Sequence, residues 1–297
     1  MSWLRRFDKP EYFYRPAQIL KRLAWSQNRA ATDVALPWGL SIAVHPGDSI
    51  GRSLCTQGVY DLSLTEVIWR LLDAGDTAVD AGANIGYVTG LMAVRAGPRG
   101  SVAALEPHPD IFAELQHNVI RWRARSNLAA IALHNLAASE SRSMATLFLP
   151  RDFSHNRGVS TLAAGENAVA GPTVETLPLD ELIPGFVALL KIDVEGHELT
   201  LLKGCQRLLS RRGIRDIVFE EHQPYPSAVH QLLEAAGYRV KRIDRAFRGP
   251  LLLDPAQPCR HPFLPSNYLA TLDLERCVRR TDPRGWFCLK PGHYVTK

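Results

Sequence analysis

Lys191, Asp193, Glu195 and His197 place four ionisable side chains within seven residues of a 297-residue chain. They belong to Ala188–Leu199, A-L-L-K-I-D-V-E-G-H-E-L. Residues 188–192 are apolar except for Lys191 and read as a buried strand. Gly196 permits a tight turn before a helix over Leu199–Leu209. Such a cluster is costly to bury unless its members are paired or used. Imidazole is the side chain best suited to take a proton near neutral pH, so His197 is the candidate general base. Asp193 or Glu195 can act as the base, orient that imidazole or contact a bound ligand. Lys191 can stabilise charge or order the carboxylates. The plainer alternative is that Lys191 pairs with a carboxylate and His197 merely caps the helix.

A second stretch, Thr77–Gly90, T-A-V-D-A-G-A-N-I-G-Y-V-T-G, must position a ligand for such chemistry. Ala78 and Val79 end a buried strand, Asp80-Ala81-Gly82 turns, and Ile85–Val94 resumes at helical spacing. This is the strand–turn–helix of a doubly wound α/β fold. Gly82 and Gly86 suit close backbone approach or positive φ. Asp80, at the strand's carboxyl end, points its carboxylate toward the crevice where such folds bind ligands.

A nicotinamide-dinucleotide loop requires G-x-G-x-x-G, and Asn84 stands where the middle glycine would. Gly82-Ala83-Asn84 and Gly86 fit better a donor with no pyrophosphate that an acidic group can hold. S-adenosylmethionine, with its ammonium, sulfonium, ribose and adenine, is such a ligand. An ordinary glycine-containing turn is the bland alternative. Glu106-Pro107 follows a strand over Ser101–Leu105, 24 residues after Gly82, where a carboxylate can accept hydrogen bonds from ribose hydroxyls. A third strand, Ala129–Leu133, leads to His134-Asn135-Leu136-Ala137, placing Asn135 and small residues near the adenine. The candidate donor-binding set is thus Asp80, Gly82, Ala83, Asn84, Gly86, Glu106, Pro107, Asn135 and Asp193.

The remaining elements frame these two stretches. Leu40–His45 reads as a strand and Leu62–Leu72 as a helix. Pro109 to about Arg123 is a helix carrying Asn118. Ala145–Leu149 and Thr173–Leu177 read as strands of an insertion whose polar middle, Ser154–Thr161, suits a lid. Strands are expected over Ile214–Phe219, Tyr238–Ile243 and Tyr268–Leu272, with a helix over Ser227–Ala236. Residues 245–265 hold five prolines and read as loop. The organisation expected is a cap over 1–60, an enzymatic domain over 61–275 and a tail over 276–297.

Composition is that of a globular protein, 46% hydrophobic and 22% charged. No apolar run reaches the ~18 residues of a membrane span. No uninterrupted apolar stretch marks a secretory signal near the N-terminus. Cys55, Cys205, Cys259, Cys277 and Cys288 form no C-x-x-C, which fits a reduced cytoplasmic protein. Cys259 and His261 are too few to argue for a metal. Residues 1–30 carry seven Lys/Arg against two Asp/Glu, so the whole net charge of +5 lies there. The balanced remainder argues against a nucleic-acid partner. The basic leader, which also holds Ile19-Leu20 and Leu23-Ala24 at helical spacing, is a candidate for weak contact with a membrane surface or acidic partner, and a solvated or partly disordered extension is the plainer alternative.

The order V-D-A-G-A-N-I-G-Y, L-E-P-H-P, N-x-G-x-S-T-L (156–162), T-L-P-L-D (176–180), K-I-D-V-E-G-H-E and F-E-E-H resembles the FkbM family of S-adenosylmethionine-dependent methyltransferases. The resemblance spans roughly residues 60–270, and K-I-D-V-E-G-H-E is its most specific part. It implies a seven-stranded Rossmann-like, mostly parallel sheet with helices on both faces. It also implies methyl transfer, mostly to hydroxyl oxygens of sugars or natural products, with S-adenosylhomocysteine as product. The expected enzyme is therefore an O-methyltransferase with Lys191, Asp193, Glu195 and His197 at the transfer site. The expected acceptor is a small molecule or glycan, with a homo-oligomer left open. N-methylation, a silent donor-binding protein and, last, a nicotinamide-dependent oxidoreductase are the alternatives. A Mg²⁺-dependent variant using Asp193, Glu195 and Glu220 ranks below the metal-free reading.

Overall fold

The computed structural model describes residues 9–26, 30–150, 160–162, 168–260 and 266–290. The basic and aromatic residues before Lys9, most of the expected lid with Asn156 and Gly158, and His261 lie outside the described residues.

Helices α1 (Pro10–Tyr14) and α2 (Ala17–Leu23) precede an antiparallel ribbon of β1 (Thr32–Ala35) and β2 (Ser41–Val44). Helices α3 (Ser49–Gln57) and α4 (Leu62–Leu71) lead into β3 (Thr77–Ala81). Asp48 and Asp61 cap them, their side chains accepting from the backbone N–H of Gly51 and Leu64. Helix and strand then alternate through α5 (Tyr87–Ala96), β4 (Ser101–Leu105), α6 (Pro109–Trp122) and β5 (Ala130–His134). A side sheet of β6 (Ala137–Ala138), β7 (Ser143–Pro150) and β8 (Ala168–Leu177) and helix α7 (Leu179–Leu182) follow. The chain returns through β9 (Val187–Ile192), α8 (Glu198–Lys203), α9 (Gln206–Ser210), β10 (Ile214–Glu220) and α10 (Ala228–Ala235). It closes with β11 (Arg239–Ala246), β12 (Gly249–Leu253), β13 (Asn267–Thr271) and α11 (Leu274–Thr281).

The main sheet has the order β12-β11-β13-β10-β9-β3-β4-β5. Strands β5, β4, β3, β9 and β10 are mutually parallel, and β13 runs antiparallel to both its neighbours. From β3 the chain moves outward to β4 and β5, then crosses back to β9 on β3's other side. That reversal opens a crevice at the carboxyl ends of β3 and β9. All six residues of β9 are buried because helices cover both faces. Alternate side chains serve opposite cores: Ala78, Leu189 and Val218 pack on one face, Val79, Leu190 and Ile217 on the other.

Among the described residues the sheet has eight strands where seven were expected. The added strand, β12, lies in the segment read as loop. Pro250 disguised it, yet proline is tolerated at a sheet edge, and Leu251–Leu253 pair with β11 there. The helix expected over Leu199–Leu209 is two helices. At Gly204 the backbone of Ser139 comes so close that a Cβ would lie 1.9 Å from its carbonyl oxygen.

Candidate functional site

The loop after β3 is shaped by three positive-φ residues in five, Gly82 (79°), Asn84 (48°) and Gly86 (95°). A Cβ on Gly82 would lie 1.8 Å from the Asp193 carbonyl oxygen, so only glycine lets the turns after β3 and β9 meet. The loop's amides are committed internally. Those of Gly82 and Ala83 donate to Leu105 O at 3.0 and 2.9 Å, and that of Gly86 to Ala83 O at 2.9 Å. The Asn84 amide donates to Glu106 Oε2 at 2.9 Å and the Ile85 amide to Asn84 Oδ1 at 2.7 Å. Asn118 of α6 braces the loop from behind, donating to Ile85 O and bonding the backbone of Ala43 on β2.

Lys191 joins the loop to the reactive turn. Its Nζ donates to Gly82 O at 2.7 Å and pairs with Asp193 Oδ2 at 3.2 Å and Asp80 Oδ1 at 3.4 Å. Burial works against this ammonium, but Asp193 and Asp80 outweigh it and hold the proton more tightly than an ordinary lysine does. The alternative in which Lys191 pairs with carboxylates is therefore observed, and it places Lys191 in the cavity wall as well.

The crevice holds about 1080 Å³ of empty space, its open mouth included. Gly82, Ala83, Asn84, Glu106, Pro107, Lys191, Asp193, Glu195 and His197 all line it, so three sequence-distant stretches of chain converge on one cavity as the two motifs require. Three expected residues do not line it. Strand β3 continues through Asp80, so its carboxylate is enclosed beneath the loop, accepting from Thr89 Oγ1 at 2.6 Å, instead of facing the crevice. Gly86 faces Leu115 and Trp122 of α6. Asn135 donates to Glu106 O at 2.8 Å and Pro107 O at 3.0 Å, bracing that turn, while its neighbours Leu136 and Ala137 reach the cavity.

Glu106 is nearly inaccessible and also accepts from the His108 amide at 2.9 Å; burial pushes its carboxyl up to about 7. Glu195 sits at φ 52°, a strained conformation for a side chain of this kind. Burial, then the charges of Asp193 and Glu198, push it up to about 7. Glu220, at the end of β10, is raised to about 7 by burial and then by Asp193. His222 Nε2 lies 3.8 Å from Glu220 and 4.0 Å from Glu195. Burial lowers His197 below the ordinary imidazole value, and its Nε2 is 3.0 Å from Ser139 Oγ. A neutral imidazole and a carboxyl poised near neutrality are both competent proton acceptors. Among the described residues no group of three His, Cys, Asp or Glu is placed to hold a metal ion.

Several wall residues had no signal in the sequence. Ser49 comes from α3, Tyr60 from the turn between α3 and α4, and Ser160 and Leu162 from the insertion. Tyr87, next to Gly86, was within the motif; its hydroxyl accepts from the Tyr60 amide at 3.1 Å and meets Thr65 Oγ1 at 3.0 Å.

A mostly parallel sheet with antiparallel β13 inserted near one end, a glycine loop after β3 and an acidic residue after β4 define a Rossmann-like class I methyltransferase. The family described as the methyltransferase FkbM domain matches residues 80–240, and the chain belongs to that family. It is similar to the hexuronic acid methyltransferase AglP of Haloferax volcanii, at 30% identity over 60% of this chain and 71% of that protein. It is also similar to the methyltransferase sdnD of Sordaria araneosa, at 28% identity over 68% of this chain and 85% of that one. Among solved structures, the methyltransferase FkbM of Methylobacillus flagellatus superposes with a TM-score of 0.39 at 18% identity, covering 68% of this chain and 47% of its own.

Proposed function

We propose that the protein is an S-adenosylmethionine-dependent O-methyltransferase acting on a hydroxyl of a sugar or other small molecule. The observation that carries this reading is the meeting, in one cavity, of the Gly82–Asn84 loop and Glu106 with Asp193, Glu195 and His197.

The wall suits that donor. Glu106 and Asp193 are anionic partners for a ligand bearing an ammonium, a sulfonium and a ribose diol. Leu136, Ala137 and Pro107 offer an apolar slot for a base. Asp80 takes the positioning role of holding Lys191. A pyrophosphate fits poorly, because five successive loop amides are spent on internal hydrogen bonds and Lys191 is tied to two carboxylates. This disfavours the oxidoreductase alternative.

When bound, the donor supplies an electrophilic methyl group whose leaving group is neutral. The chain must then align an acceptor and draw off its proton. His197, kept neutral by burial, can take that proton, and Ser139 fixes its ring. Glu195 is the second candidate base. An amine would enter this acidic wall as a non-nucleophilic ammonium, which favours oxygen over nitrogen as acceptor. AglP is named for a hexuronic acid, which supports a sugar as the acceptor class.

The test is transfer of an isotopically labelled methyl group from S-adenosylmethionine to a panel of sugars and amines. The expected product is an O-methyl sugar, and His197→Ala should lower turnover ~10²-fold or more with donor affinity little changed. N-methylated products, or full activity in that variant, would contradict the proposal.

A further inference from the structure

Helix α2 is amphipathic in the inverse sense. Gln18 faces the protein and is 2% exposed, whereas Ile19, Leu20 and Leu23 face outward at 48%, 70% and 78%. At 100° per residue these three share one side of the helix, opposite Gln18. On the adjoining α1, Phe13 is 68% exposed and meets the partly exposed Phe247, with ring centroids 5.2 Å apart, and Tyr14. Scattered exposed apolar residues need no explanation, but a helix that buries a glutamine and displays all three of its large aliphatic side chains does.

We propose that α1 and α2 form a docking surface for an anionic lipid membrane. Arg22 borders the aliphatic face next to Ile19, exposed Lys21 lies further round the same helix, and residues 1–30 carry the whole net charge of the protein. Apolar side chains bordered by basic ones are the pattern of a helix that lies in the headgroup region, where burial and attraction to acidic lipid add. Among the described residues no helix is long and apolar enough to cross a membrane, so the surface rests on the bilayer. Helix α2 packs against α3, whose first residues, Ser49 and Ile50, line the cavity. The docking surface is thus one helix away from the methyl-transfer site. The inference is independent of which acceptor the enzyme uses.

The experiment is flotation of the full chain with vesicles of phosphatidylcholine alone and of phosphatidylcholine with ~30% phosphatidylglycerol. The expected result is binding to the second only, weakened by salt, and at least about tenfold weaker in the double variant Leu20→Glu, Leu23→Glu. Both positions are exposed, so an unchanged thermal melt will show that the variant is folded. Equal binding to both vesicles, no flotation, or undiminished binding by the folded variant would overturn the proposal. So would a self-associated wild type that the variant dissociates without any vesicle binding, since the face would then belong to a second copy.

Discussion

Glu106 carries an electrostatic cost in the ligand-free protein. Burial raises it from 4.5 to about 7, and Glu195 and Glu220 share that shift. The folded state therefore holds more protons than the unfolded chain between these values, and stability falls as pH rises through the window. Denaturation by urea from pH 4.5 to 7.5 should show this loss, smaller in Glu106→Gln; stability that climbs across the window would contradict the assignment. Donor affinity should move oppositely, strengthening as Glu106 ionises near pH 7 and becomes a full acceptor for the ribose. At this scale the sequence was informative wherever residue type and spacing lay within one segment. Glu106, Asp193, Glu195 and His197 could be read because short turns follow buried strands. Ser139 could not, because its contact with His197 depends on the side sheet folding back, and no spacing encodes that. Asp80 was legible as a strand-end carboxylate, but whether it faces the crevice or the protein interior depends on one further residue of strand.

The turn after β3 and the turn after β9 are a single packed unit. Gly82 is the contact point, since any Cβ there would strike the Asp193 carbonyl and its φ of 79° is unfavourable for other residues. Gly82→Ala should lose about 2–4 kcal/mol in chemical denaturation and weaken donor binding together with it. A variant with wild-type stability would show that the two turns do not pack as described. Elements with a clear period, such as β4, α6 and β9, were legible almost to their ends. The errors fell where tertiary context overrides local pattern. β12 is a strand because it has an edge to add to, despite Pro250. At the α8–α9 break the Ser139 carbonyl comes so close to residue 204 that only glycine fits there.

At the scale of the whole molecule, the chain's final described residues are fastened to the buried helix α4. Arg70 of α4 donates to the carbonyls of Arg280, Thr281, Pro283 and Gly285, and Glu66 accepts from the amides of Phe287 and Cys288. The tail carried no readable period, and this buried pair supplies the polar partners its backbone needs. The same helix, α4, is capped by Asp61, which follows the cavity residue Tyr60. The molecule is thus built so that its N-terminal helices, glycine loop and returning strand β9 all bear on one crevice.

The claim that this crevice is the donor site is tested most directly by calorimetric titration of S-adenosylhomocysteine into the ligand-free protein and into Glu106→Ala. Saturable one-site binding by the wild type, weakened at least about tenfold in the variant, is the result expected when a buried charged acceptor is lost. Absence of binding to the folded wild type, or equal affinity in both proteins, would contradict it.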